Sequence, residues 1–175
     1  MILQLECDNQ LIFKTFFNLL SQKNFIIKKE KNLYYPRIKI EDQNEKLIIV
    51  INDSNKVYTK PLDLNFIFSD LMREILKISY KINKFFYFPF QRKVKDNKLK
   101  TYLSDIQNKI LLNLLTNQNG INKDQLYQII WSKDKMISVN KLDTHLTNLK
   151  SLLIDELNMK INFKSEDKKL KLIIN

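Results

Sequence analysis

The stretch from Asn140 to Leu153, NKLDTHLTNLKSLL, holds the side chains with the most chemistry to offer. Thr144, Thr147, Asn148 and Ser151 fall on one side of a helix, with Lys141 beside them. Leu142, Leu146, Leu149 and Leu153 fall on the other side, at about 100° per residue. A helix face that only meets water usually carries long Glu and Lys side chains. This one carries short neutral donors and acceptors. Such groups suit hydrogen bonding to a partner, not proton or electron transfer.

Nothing else in the chain makes a catalytic set. One His and one Cys are too few for a His/Cys zinc site or for a plausible triad. The single Gly excludes a Gly-rich phosphate loop, and no spaced carboxylate motif is present. The expectation is a protein that is not an enzyme and holds no cofactor and no metal. Cys7 alone cannot form an internal disulfide and suits a buried apolar filler. The first residues, MILQLECDNQ, lack a basic segment, and runs such as KLIIVIN fall far short of the ~20 residues that span a bilayer. A soluble cytoplasmic chain is expected.

The 175 residues carry 30 Lys and Arg against 19 Asp and Glu, a formal charge of +11. Such an excess favours a polyanion: nucleic acid or an acidic membrane surface. The chain is also rich in Lys, Asn and Ile and nearly lacks Gly and Ala, as AT-rich coding produces. Placement of charge therefore matters more than its total. Residues 84–175 hold 17 basic and 9 acidic groups; residues 1–83 hold 13 and 10. The surplus lies in the half that carries the Thr/Asn helix.

The elements around that helix follow from periodicity. ILQLE and FIIKK are strand candidates on either side of a helix in NQLIFKTFFNLLSQ. RIKIEDQNEKLIIVIND has the alternation and polar turn of a hairpin, its second strand running from Leu47 to Ile51. After Pro61, Asp63 is a fair N-cap for a helix reaching about Ile82. Together these predict a small α/β domain over residues 1–83. The segment KFFYFPFQRKVKDNKLKTYLSD, broken by Pro89 and a turn at Asp96–Asn97, predicts short antiparallel strands. Ser104 caps a helix in DIQNKILLNLL, and Gly120 follows where a left-handed stop is wanted. A second helix lies in NKDQLYQIIWS, KDKMIS is a loop, and a third helix covers residues 139–157. The tail, residues 160–174, alternates and turns at Ser165 to Asp167. An antiparallel sheet, three helices and a terminal hairpin make residues 84–175 an α+β domain in the order of a winged helix, whose third helix enters the major groove.

Three stretches in this order carry a family resemblance. YLSDIQNKILLNLL, NGINKDQLYQIIWS with Gly120, Leu126 and Trp131, and VNKLDTHLTNLKSLL with Asn140, Asp143, His145, Leu149 and Lys150 are similar to the effector domain of OmpR/PhoB-type response regulators. The first unit looks like a shortened, degenerate receiver domain of that family. ILQLECDNQLIFKTFFNLLSQKNFII resembles its first strand, acidic corner, helix and second strand, and TKPLDLNFIFSDLMREI its final Lys-Pro and last helix. Cys7 replaces one acid of the metal-binding pair, Glu6 is left as a surface remnant, and Asp53 is a poor phosphoacceptor.

The resemblance implies a DNA-binding transcription regulator, independent of phosphorylation. It puts Thr144 and Asn148 on base edges and His145 on a phosphate, with Lys141, Thr147 and Ser151 on the same face; the helical angle of His145 places it at the core edge, which suits a phosphate contact or simple packing. A Thr methyl suits the thymine methyl and Asn can bond adenine, so an A·T-rich duplex fits. Wing residues Lys164, Lys168, Lys169 and Lys171 would enter the minor groove or grip phosphates. The expected partners are double-stranded DNA, a second copy joined through the first domain at the helix Asn65–Ile82, and RNA polymerase. The aromatic run Phe85, Phe86, Tyr87, Phe88 and Phe90 is of a kind that stacks single-stranded bases; family placement makes it core and domain interface instead. Trp131 is expected to pack. The alternatives are a protein–protein adaptor on the same fold and a non-specific nucleoid or replication factor.

Overall fold

The structure is a computed structural model that describes residues 2–28, 35–52, 54–132, 139–166 and 168–174, without the side chain of Val139. Asp53, the expected loop at residues 133–138 and Asp167 lie outside the described residues. The fold class is α+β, in two compact units, Met1–Ile78 and Ser79–Asn175.

The first unit runs β1 (Ile2–Cys7), α1 (Gln10–Gln22), β2 (Ile26–Lys28), β3 (Arg37–Asp42), β4 (Lys46–Ile51), β5 (Ser54–Thr59) and α2 (Leu64–Lys77). The sheet order is β2-β1-β3-β4-β5. β1 pairs parallel with β2 and β3; β4 pairs antiparallel with β3, and β5 with β4. Strand alternation puts Leu3, Leu5, Ile38, Ile40, Leu47, Ile49 and Ile51 on one face, all buried. Phe16 and Leu20 of α1 and Ile67, Leu71 and Ile75 of α2 are the buried apolar residues of the helices. Each helix starts on a side-chain cap. Asn9 accepts from the amides of Leu11 and Ile12, and Asp63 from those of Asn65 and Phe66.

The helix expected to reach Ile82 ends at Lys77. Tyr80–Ile82 is instead β6, the first strand of the second unit, paired with β7 (Phe85–Phe88). Asn83 supplies the left-handed turn between them, at φ 52°. Apolar spacing fits helix and strand alike over such a short run; cross-strand pairing with the aromatic β7 decides for the strand.

The second unit continues through a 3-10 turn at Pro89–Gln91, β8 (Lys93–Lys95), β9 (Lys100–Tyr102), α3 (Asp105–Thr116), β10 (Ile121–Asn122), α4 (Lys123–Ile130), α5 (Val139–Leu157), β11 (Ile161–Glu166) and β12 (Lys169–Ile174). β6 to β9 form an antiparallel meander, and β10, β12 and β11 a second small sheet. Ser104 closes a capping box with Gln107. The expected turn at Asp96 is built on its carboxylate, which accepts from the amides of Lys98 and Leu99.

Sheet and helices share one core, in which Tyr87, Val94, Leu111, Leu126, Leu149 and Leu153 are all but inaccessible. Its one polar knot is satisfied. The Tyr87 hydroxyl donates to Asn108 Oδ1 at 2.7 Å, and Asn108 Nδ2 donates to the Pro89 carbonyl at 3.1 Å. Gly120 has φ +84°, and a Cβ there would sit 2.9 Å from Lys171 Cγ and 3.0 Å from Lys169 Cβ. The glycine lets the chain turn after α3 and lets β12 lie against it.

Candidate nucleic-acid interface

The exposed side of α5 and the hairpin β11–β12 form the face that carries the residues expected to contact a ligand. Leu142, Leu146, Leu149, Leu153 and Leu157 lock α5 onto the core, each at most 5% exposed. Rotation of the helix then fixes the opposite side. Thr144, Thr147, Asn148 and Ser151 are all exposed. The Thr144 hydroxyl donates to the Asn140 carbonyl at 2.8 Å, and that of Thr147 to the Asp143 carbonyl at 3.0 Å. With their protons spent inside the helix, both threonines offer a methyl group and an oxygen acceptor outward. Asn148 keeps its amide free of any such back bond among the described residues.

Two polar bridges hold α5 against its neighbours. Lys123, at the start of α4, pairs with Asp143 at 2.7 Å, and Lys150 donates to Asn162 of β11 at 3.1 Å. A groove runs between helix and hairpin, lined by Thr147, Lys150, Ser151 and Ile154 on one side and Asn162 and Ser165 on the other. Neither bridge has a sequence signature, because partners 20 and 12 residues apart leave no local pattern.

Lys141 and His145 both lie at the core edge, against Trp131. The Lys141 ammonium lies 4.6 Å from the centre of the Trp131 ring and 5.9 Å from that of Tyr127. The half-buried His145 packs its ring 5.5 Å from Trp131, centre to centre. Trp131 is thus a packing residue that also seats a cation. On the hairpin, Lys164 pairs with Glu166 at 2.6 Å, and Lys171 approaches the same carboxylate at 3.5 Å. That contact holds Glu166 below and Lys164 above their ordinary pKa values. Lys168 and Lys169 are exposed at the hairpin tip, Lys168 in the left-handed turn at φ 62°.

The basic surplus of the second unit is not on this face. Residues 79–104, the β6–β9 sheet, hold seven Lys and Arg against one Asp, while residues 105–175 hold 11 against 8. Asp143, Asp155, Glu156 and Glu166 offset much of the charge on α5 and the hairpin.

The first unit carries one cluster that no motif announced. Asp42, ending β3, accepts from Lys60 Nζ at 2.8 Å and from Asn9 Nδ2 at 2.8 Å, one contact to each carboxylate oxygen. Lys60 first, then Asn9, holds the Asp42 carboxyl below its ordinary pKa. Burial raises the pKa of the neighbouring Cys7 thiol, which donates to the Asn9 carbonyl at 3.4 Å, an inert setting. Asp42 escapes notice in the sequence because it sits inside a tight hairpin, with Lys60 eighteen positions away. Among the described residues no group of three His, Cys, Asp or Glu could hold a metal ion, and no helix is long and apolar enough to cross a membrane.

No protein-family model matches the chain, and no curated protein does. Among solved structures, the chain is similar to the DNA-binding domain of E. coli CadC, at 13% identity and a TM-score of 0.46, over 54% of this chain and 91% of that one.

Proposed function

We propose that this protein is a sequence-specific DNA-binding transcription regulator whose second unit works as a winged helix of the OmpR/PhoB type. The observation that carries the reading is the exposed face of α5. Thr144 and Asn148 stand one turn apart with no acid between them, beside the hairpin whose tip carries Lys168 and Lys169. Laid in a major groove, that face sets a methyl group and an amide against base edges, the pair that suits A·T steps. Lys168 and Lys169 reach phosphates. Lys164 contributes little, since Glu166 already holds it, and Lys141 and His145 support the helix through Trp131. The protein acts without phosphorylation and without catalysis, as a homodimer joined through the first unit. Phe66 and Leu76, exposed on the outer side of α2, supply an apolar contact for a second copy.

Selection of bound duplexes from a random pool tests this. An enriched A·T-containing motif, lost in Thr144→Ala/Asn148→Ala with folding intact, is the expected result. Recovery of no motif, with affinity set by salt alone, would overturn it in favour of a non-specific nucleoid factor. Absence of any duplex binding would favour an adaptor.

A further inference from the structure

The β6–β9 sheet has a second surface whose make-up differs from that of α5. It buries Ile82, Phe85, Tyr87 and Val94 and turns the alternate residues outward. Two rungs result. One holds Lys81, Phe86, Lys95 and Lys100, paired in register across the four strands; the next holds Phe88, Lys93 and Tyr102. Four of these seven residues are lysines and three are aromatic. Tyr102 is 61% and Phe86 40% exposed. The ammoniums of Lys93 and Lys95 lie 5.0 and 5.5 Å from the centre of the Phe88 ring. Among the described residues, no carboxylate lies within ion-pair distance of Lys81, Lys93, Lys95 or Lys100. The sheet's single acid, Asp96, sits in the β8–β9 turn, engaged by two backbone amides and facing Lys84 at 3.7 Å.

We propose that this outer face binds single-stranded DNA, with phosphates on the lysines and bases stacked on Phe86 and Tyr102. Charge selects a polyanion. The exposed rings select one whose bases are free, because a duplex keeps its bases stacked and presents only phosphates to such a face. Strand spacing puts Phe86 and Tyr102 about 12 Å apart on the diagonal, with Lys93 and Lys95 between them. Two stacking platforms therefore flank two phosphate sites. The Tyr102 hydroxyl is the only neutral hydrogen-bonding group in the two rungs, so stacking and charge carry the binding and no 2′-hydroxyl is required; DNA suffices. This site does not depend on the duplex reading of α5.

Fluorescence anisotropy of the full chain titrated into labelled oligo-dT of about 15 nucleotides tests it. Phe86→Ala/Tyr102→Ala should weaken binding at least about tenfold, and Phe86→Leu/Tyr102→Leu, which keeps apolar bulk and the fold, should do the same. Tyr102→Phe should bind as the parent does. Lys81→Gln/Lys95→Gln/Lys100→Gln should flatten the slope of log affinity against log salt by about two. Thr144→Ala/Asn148→Ala should leave oligo-dT binding unchanged, which separates this site from duplex recognition. Three results would overturn the proposal. They are no oligo-dT binding at low salt, loss through the lysines but not the rings, and a tenfold preference for oligo-U RNA. Capture of an acidic protein on this face without oligonucleotide binding would also overturn it.

Discussion

The ammonium of Lys141 is seated over the Trp131 ring, 4.6 Å from its centre, and does not stand out from α5. A cation on an aromatic face contributes about 0.5–1 kcal/mol where water has access. Lys141→Ala should lower the unfolding free energy by about that amount. Duplex affinity and its salt slope should stay within a factor of about two. Urea unfolding and salt-dependent titration measure the two quantities; a salt slope reduced by one would mean that Lys141 does leave Trp131 for a phosphate.

Thr144 bonds its own helix through its hydroxyl, so its outward chemistry is the methyl group. Thr144→Val should keep the preferred base at its position, and Thr144→Ser should lose it. Asn148→Ala should cost about 1–3 kcal/mol of discrimination at one neighbouring position. Competition titrations with single-base variants of the selected motif separate these outcomes.

Gly120 is both left-handed and in contact with β12. Gly120→Ala should destabilise the chain by about 1–3 kcal/mol, and the backbone amide resonances of Lys169 to Lys171 should shift most. Stability unchanged from the parent would refute the close packing of β12 on this turn.

Tyr58 donates its hydroxyl to Asp70 Oδ2 at 2.8 Å, tying β5 to α2. This bond, ahead of Lys56 and Arg73, holds the Asp70 carboxyl below its ordinary pKa. A carboxylate depressed in the folded state stabilises at pH above its unfolded pKa of about 3.9, and that stabilisation is lost as pH falls through the folded pKa. Tyr58→Phe should therefore cost about 1–2 kcal/mol at pH 7. The difference from the parent should shrink in denaturant melts as pH falls below the unfolded value of about 3.9, and a penalty that stays constant with pH would show that the carboxylate is not involved.

Asp42 has both oxygens engaged, by Lys60 and Asn9. Incubation with acetyl phosphate and a divalent cation should leave the mass and the oligomeric state unchanged. A phosphoryl adduct on Asp42 would show that the first unit retains a switch.

Where the sequence succeeded, the cause is local. Asp63 and Ser104 cap helices because each needs only amides two or three residues ahead. The β3–β4 hairpin and the terminal hairpin follow from alternation across a polar turn. The α5 stripe put Thr144 and Asn148 on the outer side once the leucines were assigned inward. The end of α2 was not legible, because Tyr80–Ile82 suits either state until β7 lies beside it.

The chain's local patterns thus determined most of the helices and strands, and which face of each meets the core, with Tyr80–Ile82 the exception. Tertiary structure alone decided what its charges do. It seated Lys141 on Trp131, paired Lys164 with Glu166, closed Asp42 with Lys60 and gathered four lysines and three rings on one sheet face. Apart from the Lys164–Glu166 pair, which lies within β11, those relations join residues from different elements. Folding sets their distances; no periodicity in the chain records them.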